Sequence, residues 1–554
     1  MSVPANLGKY RNFLRRHPWW AAAWLVALLA SVVPLWLADM LPILDLPQHL
    51  ATVRILRDLH TPQWHLDAFY ALDLSHTQYL GWYVLATLLS WAVSIETAAK
   101  LLLTVYLLAW PLAFARFLRA HHRHPAFALV AVPIAWNGTL WLGYVNYLSA
   151  LPLVFLWLAL VQERLDKPAK NAAFALYLLP LAVYFLHAQA FLHALLLLAL
   201  TALCHPAPWR EKRKLAMYVL PAVLLFVAWS ATSAVLANAS SWQATRAGHN
   251  APSTVFHYLP WSERFRQLPW TLSDIYPDLA DAHILLALLG LATLGGLAGW
   301  LRARHLPDST KLVWFPEVGF VVSLALYFAA PLQYRWIYSI NSRTVPVALL
   351  LLLAVLARFR PPRAGLLVGL PAVALTLALC ALHAERLPWF SLEAAPARRL
   401  LAQAPVGARG VGLIYNPMSQ VATHRPFMHF AQWGVVDRGG MADFSFANFP
   451  QSPVVFVPPG PPQLPERFEK HPERLDMQTH GQYYDWFLMR DFGPDHPMPF
   501  AVNAGPRVRL VARDGLWTLW RRVQSPPVNL PGPPILDAVQ GASRNRSESD
   551  LRGR

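Results

Sequence analysis

The chain has 554 residues, 56% of them hydrophobic and only 14% charged, with a mean hydropathy of +0.33. Soluble domains carry about a quarter charged residues, so this chain lacks the polar surface to cover itself in water. Its formal charge of +17 lies largely in short blocks between apolar runs. That is the pattern of membrane topology, not the basic, aromatic-studded face of a nucleic-acid-binding module, and no nucleic-acid partner is expected.

Residues 1–19 are basic, with Lys9, Arg11, Arg15 and Arg16, and the positive-inside rule places them in the cytoplasm. The apolar stretch 20–38 runs into a polar loop without a small-residue cleavage site, so an uncleaved first span is expected. The loop 39–77 then faces outward. Further apolar stretches cover 78–95, 99–115, 125–136, 147–161, 172–186, 190–204, 215–236, 283–300, 312–331, 345–357 and 364–382. Basic blocks at 116–123, 164–170, 210–214, 302–311 and 358–363 punctuate them. If all five blocks are cytoplasmic, an odd number of crossings must separate the first span from Arg116, yet two stretches lie there. Either one of them does not fully span or the block at 116–123 lies outside, and of twelve candidate spans eleven are expected to cross. The two cysteines, Cys204 and Cys380, sit within or at the end of apolar runs and exclude a disulfide framework or a Cys-based zinc site.

From about His383 apolar runs shorten while prolines and charges rise. Val411-Gly-Leu-Ile-Tyr415, Pro453-Val-Val-Phe-Val457, Trp486-Phe-Leu-Met489 and Val508-Arg-Leu-Val-Ala512 read as strands, with Gly515-Leu-Trp-Thr-Leu-Trp520 as the return of a final hairpin. A helical pattern lies near 393–403. The expected architecture is an α-helical polytopic membrane domain over 20–382, followed by a small extracytoplasmic α/β domain over 383–523. The proline-rich, then Ser/Arg-rich, tail 524–554 is expected to be disordered.

Four places carry candidate chemistry. In the first loop, Asp39-Met-Leu-Pro-Ile-Leu-Asp45-Leu-Pro-Gln-His49 sets an acid and an imidazole four residues apart, where one helical face can hold both. Such a pair serves as a base with its orienting partner or as ligands to a divalent cation. The plainer alternative is that Asp45 caps a short interfacial helix, with Pro47 in its first turn and His49 solvated. His187 and His193 flank the outward turn of a helical hairpin and are either functional polar groups near membrane depth or end caps. Arg335, Asn341 and Arg343 lie at the outer face, as phosphate ligands or lipid-headgroup anchors. Asn137 and Asn146 bound a loop that either lines a cavity or makes a turn. No Walker loop, dinucleotide fingerprint, zinc-protease helix or nucleophile elbow is present.

Leu44-Asp-Leu-Pro-Gln-His-Leu-Ala, Leu142-Gly-Tyr-Val-Asn-Tyr-Leu, Ile340-Asn-Ser-Arg-Thr-Val-Pro and Gly515-Leu-Trp-Thr-Leu-Trp-Arg-Arg resemble segments of largely uncharacterised bacterial multispan membrane proteins. These are related to the GT-C superfamily of membrane glycosyltransferases. The resemblance implies a transferase that takes a sugar from a polyprenyl-phosphate donor at the outer face of the cytoplasmic membrane. It also implies that Asp45, with His49 beside it and Asp39 as the nearest substitute, acts as the base or as a metal-associated group, a Mg or Mn ion being the cofactor if there is one. Arg335 and Arg343 would hold the donor phosphate, with Asp39, Asn146, His187, His193 and Asn341 around the cavity and the C-terminal domain as a lid or acceptor platform. Two other classes compete. A flippase or transporter predicts inverted repeats and broken helices at mid-membrane depth, whereas the sequence displays no internal repeat and its polar groups gather at the outer face, and a non-catalytic envelope scaffold would keep the fold alone.

Overall fold

Leucine- and alanine-rich stretches favour helix, and a helix apolar on every side is stable only in lipid or in a deep core. The structure, a computed structural model, describes residues 18–75, 77–167, 173–232, 256–273, 275–303, 314–335, 337–359, 363, 365–449, 451–465, 467–491 and 508–523. The basic N-terminus up to residue 17, most of the block 302–311 and the tail 524–554 lie outside the described residues. The first span is α1 (Pro18–Leu37), followed by α2 (Leu46–Asp58), strand β1 (Tyr70–Leu72), α3 (Gly81–Ser90) and α4 (Ile95–Ala120). Then come α5 (Phe127–Ile134), α6 (Gly138–Trp141), α7 (Val145–Asp166), α8 (Ala173–Leu186), α9 (Ala188–Cys204) and α10 (Trp209–Thr232). Strand β2 (Phe256–His257), α11 (Trp261–Leu272), α12 (Ala280–Ala303), α13 (Phe315–Ala329), the hairpin β3 (Gln333–Tyr334) and β4 (Ile337–Tyr338), and α14 (Val345–Leu356) precede the long α15 (Leu370–Leu401).

Among the described residues six helices are long and apolar enough to cross a membrane, namely α1, α4, α7, α10, α12 and α15, and six shorter apolar segments lie among them. The protein is a helical multispan membrane protein. The ten residues of α3 rise about 15 Å, half of a hydrocarbon core about 30 Å thick, so α3 is too short to cross alone. Between α1 and the turn at 121–123, α4 is the one described helix long and apolar enough to cross. Ser94 stops the chain between α3 and α4 by accepting a hydrogen bond from the backbone N–H of Thr97 at 3.1 Å.

The boundary expected at His383 falls inside α15, whose 32 residues make a rod about 48 Å long that continues from the apolar bundle into the C-terminal domain. That domain contains β5 (Arg409–Ile414), α16 (Gln432–Arg438), β6 (Met441–Asp443), β7 (Val454–Phe456), β8 (Trp486–Arg490), β9 (Val508–Asp514) and β10 (Trp517–Arg522). Five strands form one mixed sheet in the order β6-β5-β8-β10-β9. Strand β5 is parallel to both neighbours, while β8, β10 and β9 are antiparallel. Gly410 of β5 faces Trp486 of β8, and a Cβ there would meet the indole at 1.9 Å, so only glycine leaves room for the ring. The stretch at 453–457 is a strand, but β7 pairs outside this sheet, antiparallel to β1, with Tyr70 opposite Phe456. The first loop is thus stitched to the C-terminal domain.

Charged pairs seat the sheet on α15. Arg398 grips Asp437 at 2.5 Å and Glu96 at 3.0 Å, and Arg490 of β8 meets Glu393 at 2.9 Å while covering the Phe427 ring at 4.1 Å. Burial lowers the Arg490 guanidinium to about 10 even with Glu393 beside it, which marks how little water reaches this pair. Breaking a buried pair from one side strands the other charge, at about 3–5 kcal/mol. Glu393→Ala is therefore expected to lose about that much stability in denaturant unfolding of the detergent-solubilised protein. Arg386→Ala, which breaks the exposed pair with Asp278, is expected to change it by less than about 1 kcal/mol.

Candidate active site

One cavity of about 860 Å³ opens between the apolar bundle and the C-terminal domain, and it is lined from the first loop, the 138–147 turn, the 332–343 hairpin and residues 418–470. Asp45 occupies the N-cap position of α2, with Pro47 in the first turn, but its side chain makes no capping hydrogen bond. The carboxylate faces the cavity instead. The plain capping reading therefore fails for the side chain. It fails also for His49, which is buried.

His49 has both ring nitrogens engaged. Nε2 stands 2.8 Å from the Gly143 carbonyl, and Nδ1 stands 2.7 Å from the Tyr83 hydroxyl. A carbonyl only accepts, so the proton is on Nε2 and Tyr83 donates to Nδ1. Burial pushes this imidazole below its ordinary value, the nearby Asp45 opposing. A neutral histidine with no free lone pair is not a base. The catalytic role expected for His49 is corrected to a brace that fixes the Gly143 turn. Gly143 has φ of +94°, and a Cβ there would meet the Asp45 Cβ at 2.6 Å, so its bare backbone packs directly against the main chain and Cβ of Asp45.

Across from Asp45 stands His429, whose Nδ1 is 3.0 Å from Oδ1. The contact is at ion-pair distance but not aligned as a hydrogen bond, and Nε2 has no partner among the described residues. His424, five residues earlier, donates through Nε2 to the carbonyl of Pro42. On the far side of Asp45, the Gln48 side chain bonds the Phe444 carbonyl at 2.8 Å and accepts from the Phe446 N–H at 3.0 Å.

The second charged pole is Arg343, buried at the start of α14. Its Nη1 donates to Gln189 Oε1 at 3.2 Å, its Nη2 donates to the Tyr338 carbonyl at 3.1 Å, and the guanidinium lies 4.4 Å over the Tyr144 ring. His187 caps α9 by accepting from the Gln189 N–H through Nδ1, leaving Nε2 3.4 Å from Arg343. Among the described residues no carboxylate neutralises Arg343, and its Nε is buried without an acceptor.

Of the other residues singled out in sequence, Asn146 lines the cavity with a buried, unpartnered Oδ1. Asp39, His193, Asn341 and Arg335 do not line it, and four corrections follow. Asp39 lies at the end of α1 on the side of Lys100, whose Nζ donates to the Ala38 carbonyl at 2.6 Å. His193 is more than a turn into α9 and bonds Ser323 of α13 at 3.0 Å. Asn341 is turned into the protein at the start of the α14 segment, and Arg335 sits in the β3–β4 turn beside the Tyr334 ring, 5.5 Å from its centre. Asn137 makes the turn, accepting from the Leu140 N–H at 3.2 Å to cap α6. His424 and His429 were missed, and the signal was there: two histidines in His424-Arg-Pro-Phe-Met-His429, a stretch with neither strand nor helix period.

A divalent cation fits poorly. Mg and Mn favour several oxygen ligands, and among the described residues no group of three His, Cys, Asp or Glu could hold a metal ion. Two carboxylates line the cavity, Asp45, already facing an imidazole, and Glu469, and no third ligand joins them in a cluster among the described residues. No chemical step is routed through a metal below.

No protein-family model and no curated protein sequence matches the chain. Solved structures do. ArnT from Cupriavidus metallidurans bound to undecaprenyl phosphate superimposes with a TM-score of 0.54 at 12% identity, covering 93% of this chain and 99% of that one. The same protein in the apo state gives 0.53 at 13%, covering 94% and 100%. The chain has the ArnT fold. The likeness is one of architecture over nearly the whole length, helical bundle and mixed-sheet domain together.

Because His424 is held neutral, with burial lowering it to about 4, the unfolded chain binds its proton first as pH falls below 6.5. Stability contributed by this group is full above that value and is lost progressively down to about pH 4, a total of about 3 kcal/mol. His424→Gln keeps an N–H donor without titrating. Its stability, measured by denaturant unfolding at pH 7.5 and 4.5, is expected to vary less with pH than that of the unmodified protein by roughly that amount.

Proposed function

We propose that this chain is an inverting membrane glycosyltransferase that moves a sugar from a polyprenyl-phosphate donor to an acceptor hydroxyl. The observation that carries the reading is Arg343, a buried guanidinium that faces an 860 Å³ cavity with no carboxylate among the described residues to neutralise it. An unpaired buried cation is costly, and a phosphate bound fork-wise is the ligand that best offsets the cost. The ArnT fold supports the same reading, since one ArnT structure holds undecaprenyl phosphate.

In this mechanism the acceptor oxygen attacks the anomeric carbon from the face opposite the phosphate. The C–O bond to phosphate breaks, the polyprenyl phosphate leaves on Arg343, and the acceptor proton passes to Asp45. The guanidinium stabilises charge that grows on the leaving oxygen, and Asp45 serves as general base. The cavity borders the apolar bundle, so the prenyl chain stays in lipid while the sugar enters water. The reading places the site at the outer face of the bacterial cytoplasmic membrane, with the N-terminus inside and the sheet domain outside. A non-catalytic scaffold would have no use for an un-neutralised guanidinium buried in a cavity.

Undecaprenyl phosphate is the probe for donor binding. Arg343→Ala is expected to weaken its binding to the purified protein in nanodiscs roughly 10- to 100-fold, while Asp45→Asn binds as the unmodified protein does. In a deletion strain, envelope lipids and glycans compared by mass spectrometry should lack one sugar. That sugar should return with the unmodified gene and, with Asp45→Asn, fall short by about 10²- to 10⁴-fold in rate. Full restoration by Asp45→Asn would rule out this base, and undiminished binding in Arg343→Ala would rule out this phosphate site.

A further inference from the structure

The C-terminal domain, read from the sequence as a lid or acceptor platform, reaches into the site with a side chain of its own. We propose that His429 is a positioning residue for Asp45, so that the sheet domain supplies part of the machinery of transfer. The inference rests on the glycosyl-transfer reading and adds to it a residue from the other end of the chain.

Three observations carry it. First, Asp45 Oδ1 and His429 Nδ1 are 3.0 Å apart, and neither side chain is spent elsewhere: the carboxylate does not cap α2, and the imidazole has no hydrogen-bond partner among the described residues. Second, the approach is enforced from both sides of Asp45. His424 holds the Pro42 carbonyl, and Phe444 and Phe446 hold the Gln48 side chain, so the segment carrying His429 is clamped across residues 42–48. The His429 ring also lies against Phe444 at 5.8 Å between centres. Third, the Gly143 backbone packs against the main chain and Cβ of Asp45, too close for any side chain. The root of the Asp45 side chain is therefore fixed, and the imidazole stands at its carboxylate end.

A base must present its lone pair in a fixed direction. Once Nδ1–H turns onto Oδ1, the carboxylate keeps Oδ2 for the acceptor proton and is held from swinging towards the solvent side of the cavity. Catalytic hydrogen bonds that are loosely aligned without substrate often tighten when substrate binds, and the off-line contact at 3.0 Å has room to do so. His429 acts through Asp45. It need not touch the sugar.

The test separates this role from mere packing. Asparagine keeps an N–H near the Nδ1 position, whereas phenylalanine keeps the ring against Phe444 and loses the donor. In the deletion strain, the rate of sugar restoration is measured for His429→Phe, His429→Asn and Asp45→Asn, alongside undecaprenyl phosphate binding by the purified variants. The expected result is a fall of about 10²-fold for His429→Phe, recovery of at least about tenfold of that loss by His429→Asn, and unchanged binding in both. If Asp45→Asn is inactive while His429→Phe matches the unmodified protein, or if Asn and Phe fall equally, the positioning role is wrong and the transferase reading stands. If Asp45→Asn is itself fully active, the transfer mechanism fails and this inference with it.

Discussion

Two polar attachments, made on either side of one carboxylate, set the geometry of this protein. The carbonyl of Pro42 accepts from His424, and the Gln48 amide bridges Phe444 and Phe446. Each joins the first loop to the distant sheet domain, and all of these groups are largely removed from water, where an unmade hydrogen bond costs its full desolvation penalty. The two parts must therefore dock in one register or leave donors and acceptors stranded. That register fixes the wall of the cavity, the distance from Asp45 to His429, and the pairing of β1 with β7.

Charges of both signs line the cavity, Asp45 and Glu469 with Arg343, Arg425, Arg467 and Lys470, and two of them are closely held. At one end Asp45 is hemmed by a glycine backbone and imidazoles. At the other, Arg343 is oriented by a carbonyl, an amide and the face of Tyr144. None of these three cancels its charge, and all of them restrict its direction. Tyr144 lies within reach of both charges, so the turn 138–147 is the scaffold that separates an acid from a base-stable cation. The same turn is held by the doubly bonded His49, which explains why an imidazole so near Asp45 has a mechanical task.

Local patterns made the fold readable in proportion to their strength. Apolar runs and basic blocks mark the bundle, and alternation with aromatic residues marks β5, β8, β9 and β10, all of which are observed where expected. The strand β6 is three residues long, too short to leave a period. The partner of β7 could not be read, because a strand's sequence carries its pleat but not its neighbour. In the cavity, Asp45, Asn146, His187 and Arg343 were legible because loops beside spans that carry polar groups are unusual. His429 was not, because its meaning depends on a contact made across most of the chain. Arg335 and Asn341 failed for a local reason: within one short hairpin, a turn of backbone decides which arginine is buried and which is turned away.

The clamp has a consequence for how the protein is made. His424 and Pro42 are 382 residues apart, and Gln48 and Phe444 are 396 apart. At about 5–20 residues per second, ribosomal synthesis of that interval takes roughly 20–80 s. Throughout that time the first loop waits without its partners, its β1 edge open. Closing so long a loop adds little entropy beyond a loop half as long, about 0.6 kcal/mol, so the delay is one of time and not of energy. The cavity is the last part of the molecule to exist. A chain that stops short of the sheet domain would carry only half of the cavity lining, so the cavity is completed only when synthesis is.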